Sequence, residues 1–489
     1  MLQYLKKETN KFYTENGAPT NASTGDFCLD LFATIGAIRR EKDSEIESRF
    51  IRAYMENKDI ATKILFFARD IRGGLGERRV FRVILKWLAF NKEETVKKNL
   101  KYIAEYGRYD DLLILIGTPC EEEMLAVIKA QFDADIVAMK ENKVVSLLAK
   151  WLPSINTSNV ETVFKAKKVA KAFARNYATY RKALSSLRAY IKIIENNLRE
   201  KDYSFDYEKQ PSKAMFKYRK AFIRNDGERY NEFLEKVEKG EAKLNASTLA
   251  PYELVEPFMQ DYFLRKLSKK EQASINATWN SLPDYGSEEN ALAIIDTSGS
   301  MYCTGKPVAA SVALSLGIYF AERNKGYFKD NFIIFSKRPQ LIELKGQNFA
   351  DKLSYVSSFK EIANTNIEAV FDLLLKVAVE NKLPQSELPT KLYLISDMEF
   401  DEAVDNAELT NFENAKKKFE EKGYKLPDIV FWNVASRNKG QPVTKNEQGV
   451  VLVSGCTPKL FSMVASGKMN PITFMMEVIN VERYAKIVA

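Results

Sequence analysis

The stretch that most constrains the fold is Ala291-Leu-Ala-Ile-Ile-Asp296-Thr-Ser298-Gly-Ser300-Met301, an apolar run that stops at an aspartate and turns through two serines and a glycine. An unalternating apolar run followed at once by turn residues predicts a parallel strand buried on both faces, ending in a ligand-bearing turn. Asp296, Ser298 and Ser300 supply one carboxylate and two hydroxyls, all hard oxygen donors, on a loop short enough for them to converge on one small divalent cation. The same residues also fit an ordinary strand-to-helix turn with serine caps. From residue 288 onward strand and helix patterns alternate: strand 291–295, helix 307–324, strands 331–335 and 339–344, helices 348–358 and 366–381, strand 391–396, helix 411–422, strands 428–434 and 449–453, helix 457–466. This rhythm predicts a doubly wound α/β sheet with one hairpin-like excursion. Asp296 and Asp397 both fall at the carboxyl ends of strands, where ligands gather in such sheets.

Two further stretches extend the pattern. Asn364-Thr365-Asn366-Ile367 precedes an apolar helical pattern, and Leu392-Tyr-Leu-Ile-Ser396-Asp397 is a second strand that ends in an acid. With the Asp-x-Ser-x-Ser turn they resemble the metal-ion-dependent adhesion site of von Willebrand factor A domains. The resemblance implies a bound Mg²⁺, or another divalent cation such as Mn²⁺ or Ca²⁺. Asp296, Ser298, Ser300 and Thr365 would be ligands or near-ligands, with Asp397 acting through a water. Three neutral hydroxyls leave the cation most of its charge, so it welcomes an anionic sixth ligand.

Upstream the pattern is helical. Residues 1–24 are polar and turn-rich and read as an extended arm; order begins with helical spacing at 26–39. Helices are expected at 42–56, 58–71, 76–91, 93–105, 108–116, 121–139 and 143–151, a mixed-charge one within 225–245, and one at 257–280. Ser281-Leu-Pro-Asp-Tyr-Gly-Ser287 reads as a linker between a helical part, 1–287, and an α/β part, 288–489. Ala68-Arg-Asp-Ile-Arg-Gly-Gly-Leu-Gly-Glu-Arg-Arg-Val-Phe81 and Glu105-Tyr-Gly-Arg-Tyr-Asp-Asp-Leu-Leu113, placed ahead of an A-type domain, resemble the helical module of the Ro ribonucleoprotein (TROVE) family. That resemblance implies an all-α, HEAT-like solenoid or ring closed by the A domain, with RNA on the basic ring. The same residues also read as interhelical fasteners, Arg72, Arg78, Arg79 and Arg108 pairing with Asp70, Glu77, Asp110 and Asp111.

Charge divides unevenly. Residues 1–287 hold 50 Lys and Arg against 40 Asp and Glu, residues 288–489 hold 24 against 25, so the whole net charge of +9 comes from the helical part. Within it, residues 161–224 carry 17 basic against 6 acidic residues. Lys165, Lys168, Lys171, Arg175, Arg181, Lys182, Arg188 and Lys192 lie on helical sequence among Phe164, Phe173, Tyr177, Tyr180 and Tyr190. Lys168, Arg175 and Lys182 recur every seven residues, the spacing of one helix face. Such a ridge suits phosphate binding, with rings to stack on unpaired bases; the alternative is a solvated face with the aromatics buried behind it.

Histidine is absent, which excludes Ser-His-Asp and Cys-His nucleophile systems and an imidazole base. The four cysteines, Cys28, Cys120, Cys303 and Cys456, are scattered singly, without zinc or disulfide spacing. No apolar run reaches membrane-span length and the first residues lack a signal-peptide core, so a cytoplasmic protein is expected, with no membrane partner. The sequence thus predicts a non-enzymatic RNA-binding protein with a Mg²⁺-holding A-type domain. The alternative is a metal-dependent adhesion module that captures an acidic protein ligand on a helical scaffold.

Overall fold

The computed structural model describes residues 1–260, 263–303, 305–335, 338–359, 365–402 and 409–489. A helix, Leu2–Thr9, and a hairpin, β1 (Lys11–Tyr13) paired antiparallel with β2 (Pro19–Asn21), open the chain. The expected arm is therefore ordered, because its hairpin has a surface to lie on: Gly17 pairs with Asp401 and Asn21 with Gln441, far along the chain. From Phe27 to Phe258 the described chain contains helices and no strand. Helices Asp43–Glu56, Lys58–Arg69, Arg79–Asn91, Glu93–Tyr106 and Glu121–Lys140 lie where their apolar periodicity puts them. Asn57 both closes the first of these and caps the second, accepting the Ile60 N–H.

The helix expected over 257–280 is shorter. Pro257 sits in a 3₁₀ turn, Glu256–Phe258, and two two-residue strands follow, β3 (Met259–Gln260) and β4 (Phe263–Leu264). The helix starts only at Lys269, where Ser268 and Glu271 form a reciprocal capping box, and runs to Asn280.

Six strands then build one sheet: β5 (Ala291–Asp296), β6 (Asn331–Phe335), β7 (Gln340–Glu343), β8 (Lys391–Ser396), β9 (Asp428–Asn433) and β10 (Val450–Ser454). Their order is β10-β9-β8-β5-β6-β7, parallel throughout except for the β6–β7 hairpin. The order reverses between β5 and β8, so the crevice at their carboxyl ends is the switch point of the sheet. Leu292, Ile294, Leu392 and Leu394 face helices Glu368–Glu380 and Asn411–Glu421 through Val370, Phe371, Phe412 and Phe419. Ala293, Ile295, Tyr393 and Trp432 face the other way, toward Leu316, Phe320 and Phe461.

That second face belongs to a core continuous with the helical part. Trp279 stacks on Phe349 with ring centres 3.8 Å apart. Gly36 meets β10 so closely that a Cβ there would lie 2.5 Å from the Ser454 carbonyl oxygen; only glycine allows the approach. Within the expected linker Leu282 is buried, and the Tyr285 N–H donates to the Tyr319 hydroxyl at 2.9 Å. Beyond Ser466 the chain turns back. Helix Pro471–Ile479 starts at an Asn470 cap with proline in its first turn, and it packs on Phe27–Thr34 and Lys58–Arg69. Arg483 and Tyr484 then reach buried Asp70, and Lys98 donates to the Ala489 oxygen at 2.7 Å. No helix among the described residues is long and apolar enough to cross a membrane.

Candidate functional site

Because β5 and β8 are neighbours in parallel register, the residues that follow them meet. Asp296 ends β5 fully buried; its Oδ1 accepts the Ser298 N–H at 2.8 Å and its Oδ2 the Ser396 hydroxyl at 2.7 Å. The Ser298 and Ser300 hydroxyl oxygens are 3.1 Å apart, and Ser300 donates to Asp397 Oδ2 at 2.9 Å. Four of the five sequence-predicted residues thus form one hydrogen-bonded cluster. Thr365 is also buried, and its carbonyl accepts the Asp401 N–H at 2.9 Å, just past Asp397. No hydrogen bond joins its hydroxyl to the other four residues. Asn364, which precedes it, lies outside the described residues.

The electrostatics fit a cation. Burial first, and the neighbouring Asp397 second, push the Asp296 carboxyl up to about 7. Its own hydrogen-bond partners are neutral hydroxyl and N–H groups, so the buried carboxylate lacks a countercharge that a divalent ion would supply. Glu399, two residues past Asp397, is likewise pushed up to about 7, mainly by burial. Carboxylate and hydroxyl oxygens with no soft donor suit Mg²⁺, Mn²⁺ or Ca²⁺. Among the described residues, the one positive charge touching the cluster is Arg437, whose Nη2 lies 3.0 Å from Asp397 Oδ2. Sequence reasoning did not find it, since it stands in a loop after β9 with no motif around it.

A separate group, Asp26, Cys28 and Glu56, brings three possible ligand atoms together. Burial pushes the Cys28 thiol up to about 12, which disfavours the thiolate a metal needs.

The predicted basic ridge is rearranged. Helix Val160–Ala172 ends before Ala174, whose φ is +53°, and a new helix, Tyr177–Tyr190, begins at an Asn176 cap that accepts the Thr179 N–H. The break places Lys168 on one helix and Lys182 on the next, so the seven-residue spacing does not define a common face. Several of the cations are also committed. Lys165 pairs with Glu161 at 2.6 Å, Lys168 with Glu121 at 2.8 Å and Arg175 with Asp133 at 3.5 Å. Arg188 donates to the Ala149 and Leu152 carbonyls and to the Ser154 hydroxyl at 2.7–2.9 Å, a structural clamp. Tyr180 is buried, its hydroxyl donating to the Pro153 carbonyl at 2.8 Å. Lys171, Arg181, Lys182 and Lys192 are exposed and have no carboxylate partner among the described residues. Phe164 and Tyr177 are exposed beside them in sequence, with the Lys167 ammonium 5.9 Å from the Tyr177 ring.

The arginine-rich turns act as fasteners. Arg69 and Arg82 both hold buried Asp111, Arg78 and Arg108 hold Asp110, Arg79 holds Asp43, and Arg39 holds Glu77. Gly107 is required there, since a Cβ would lie 2.4 Å from Asp111 Oδ2 and 2.8 Å from Arg69 Nε.

Comparison with known proteins gives two family matches. The family described as domain of unknown function DUF2828 matches residues 14–132 and 128–285, and that described as domain of unknown function DUF7788 matches residues 290–479. The chain is similar to uncharacterized protein L728 of Acanthamoeba polyphaga mimivirus, 29% identical over 508 residues that cover 96% of this chain and 87% of that one. Among solved structures it is similar to the RO (RSR) protein of Deinococcus radiodurans, at 13% identity and a TM-score of 0.41, over 93% of this chain and 96% of that one.

Proposed function

The chain belongs to the family described as domain of unknown function DUF2828, and for this member we propose a non-catalytic, RNA-binding protein whose α/β part, of von Willebrand factor A type, holds Mg²⁺ or a related divalent cation. One observation carries the RNA reading. Lys171, Arg181 and Lys182, on two helices that also expose Phe164 and Tyr177, and Lys192, in the turn after the second helix, are exposed cations without carboxylate partners among the described residues. Unpaired cations attract phosphates, and exposed rings offer stacking faces for unpaired bases. The cation would be held by Asp296, Ser298, Ser300 and Thr365, with Asp397 behind a water, and would supply a Lewis-acidic point for one anionic group. The chain's own residues would orient that point toward the anionic group.

The test is to purify the protein without nuclease, extract and sequence any retained nucleic acid, and measure its rebinding against salt. Log affinity for single strands should fall linearly with log salt, and Lys171→Gln, Arg181→Gln and Lys182→Gln together should flatten the slope by about two. Glutamine keeps helix propensity close to that of Lys and Arg, so the fold should survive. An unchanged affinity and slope in the triple variant would remove the RNA reading.

A further inference from the structure

The candidate cation site is closed on its Asp397 side by another part of the chain. Arg437 Nη2 lies 3.0 Å from Asp397 Oδ2, and Nη1 lies 2.8 Å from Glu15 Oε2. Glu15 stands in the turn of the β1–β2 hairpin and is fixed there by its backbone. Its N–H donates to Glu399 Oε2 at 2.7 Å, Asn16 donates to the Glu399 carbonyl at 2.6 Å, and Thr14 to the Phe400 carbonyl at 2.7 Å. Asn438, beside Arg437, donates to the same Glu399 oxygen at 2.8 Å. Hairpin turn, the segment after β8 and the loop after β9 are therefore one hydrogen-bonded unit. At its centre a single guanidinium, a third exposed (33%), is shared between the fully buried side chain of Asp397 and the half-exposed one of Glu15 (47%).

A divalent ion on Asp296, Ser298 and Ser300 and a guanidinium on Asp397 are like charges beside a buried, poorly screened cluster, and they compete for the same carboxylate. Arg437 has a second carboxylate waiting on its other nitrogen. We propose that Arg437 is the resident counter-cation of Asp397 and that a divalent ion displaces it onto Glu15, so that metal occupancy and docking of the N-terminal hairpin are coupled. The proposal rests on the cation-site reading above.

Mg²⁺ titrations of the full chain, followed by calorimetry and by melting temperature, test it. Arg437→Gln removes the competitor and should bind Mg²⁺ about tenfold tighter than wild type, whereas Arg437→Lys keeps the charge and should stay close to wild type. Glu15→Gln leaves Arg437 with Asp397 alone and should weaken Mg²⁺ several-fold. In the Arg437→Gln background the Glu15 change should have almost no effect on Mg²⁺ affinity, because its influence runs through Arg437. By linkage, Mg²⁺ should slow proteolysis within residues 1–24 of wild type and leave it unchanged in Arg437→Gln. Should Arg437→Gln fail to fold, Glu15→Gln and Arg437→Lys carry the comparison. Equal Mg²⁺ affinity in wild type, Arg437→Gln and Glu15→Gln overturns the coupling and leaves the cation site standing. Absence of any Mg²⁺ response in all of them overturns both.

Discussion

Asp296 shows how a single residue can be read from sequence and still depend on distant partners for its chemistry. An acid at the end of an unbroken apolar run was identifiable as a candidate ligand at a strand end, because burial of β5 on both faces forces its last side chain into the crevice. Its high proton affinity was not identifiable, because it comes from complete burial and from Asp397, a hundred residues away in the chain and adjacent only across the β5–β8 pairing. If the site holds Mg²⁺, saturation at about a hundred times the dissociation constant should stabilise wild type by about 2.7 kcal/mol. Asp296→Ala should abolish that gain in thermal melts, and an equal shift in both proteins would refute the site. Arg437 was hidden for a plainer reason: a loop arginine has no periodicity, and its partners Asp397 and Glu15 come from two other segments.

At the scale of elements, the strands of the six-stranded sheet were legible almost to the residue. Strands 331–335 and 391–396 are observed as expected and the other four differ by one or two residues. Continuous Val, Ile and Leu runs bounded by polar turns have few other ways to bury themselves. The basic ridge was less legible, since a seven-residue spacing implies a face only if the helix is unbroken. The signal for the break was present in Asn176, an N-cap residue placed three before Thr179. Arg188 marks the difference between charge counted and charge available. It spends its guanidinium on two carbonyls and a hydroxyl at the end of helix Leu148–Trp151 and the turn after it. Arg188→Gln should therefore lower stability by about 1–3 kcal/mol, from buried acceptors left unpaired, with the salt slope of RNA binding unchanged. Denaturant midpoints and salt titrations on the same variant separate the two effects.

The whole molecule is held together by segments that leave their own half of the chain. The N-terminal hairpin lies on the α/β part through Phe400 and Gln441, and the C-terminal tail returns to the helical part through Asp70. Burial alone would raise the Asp70 carboxyl; hydrogen bonds from Arg483 and from the Gly73 and Arg72 backbone outweigh it and hold the group below the usual carboxylate range. A carboxyl depressed in the fold contributes stability that is complete above its unfolded value, about 4, and is lost as pH falls through the lower folded value. Asp70→Asn should therefore be less stable than wild type at pH 7, and urea midpoints should show the gap narrowing below about pH 4. A gap independent of pH would mean that Asp70 acts by shape alone. The sequence by itself determined the order and type of nearly all the central elements, the position of Asp296 at a strand end and the concentration of positive charge before residue 288, because periodicity, caps and composition are local properties. Only the tertiary structure decided which cations remain unpaired, which carboxylates share a crevice and where the two termini dock. Each of those depends on the pairing of groups tens to hundreds of residues apart, set by strand order and helix packing that no local pattern encodes.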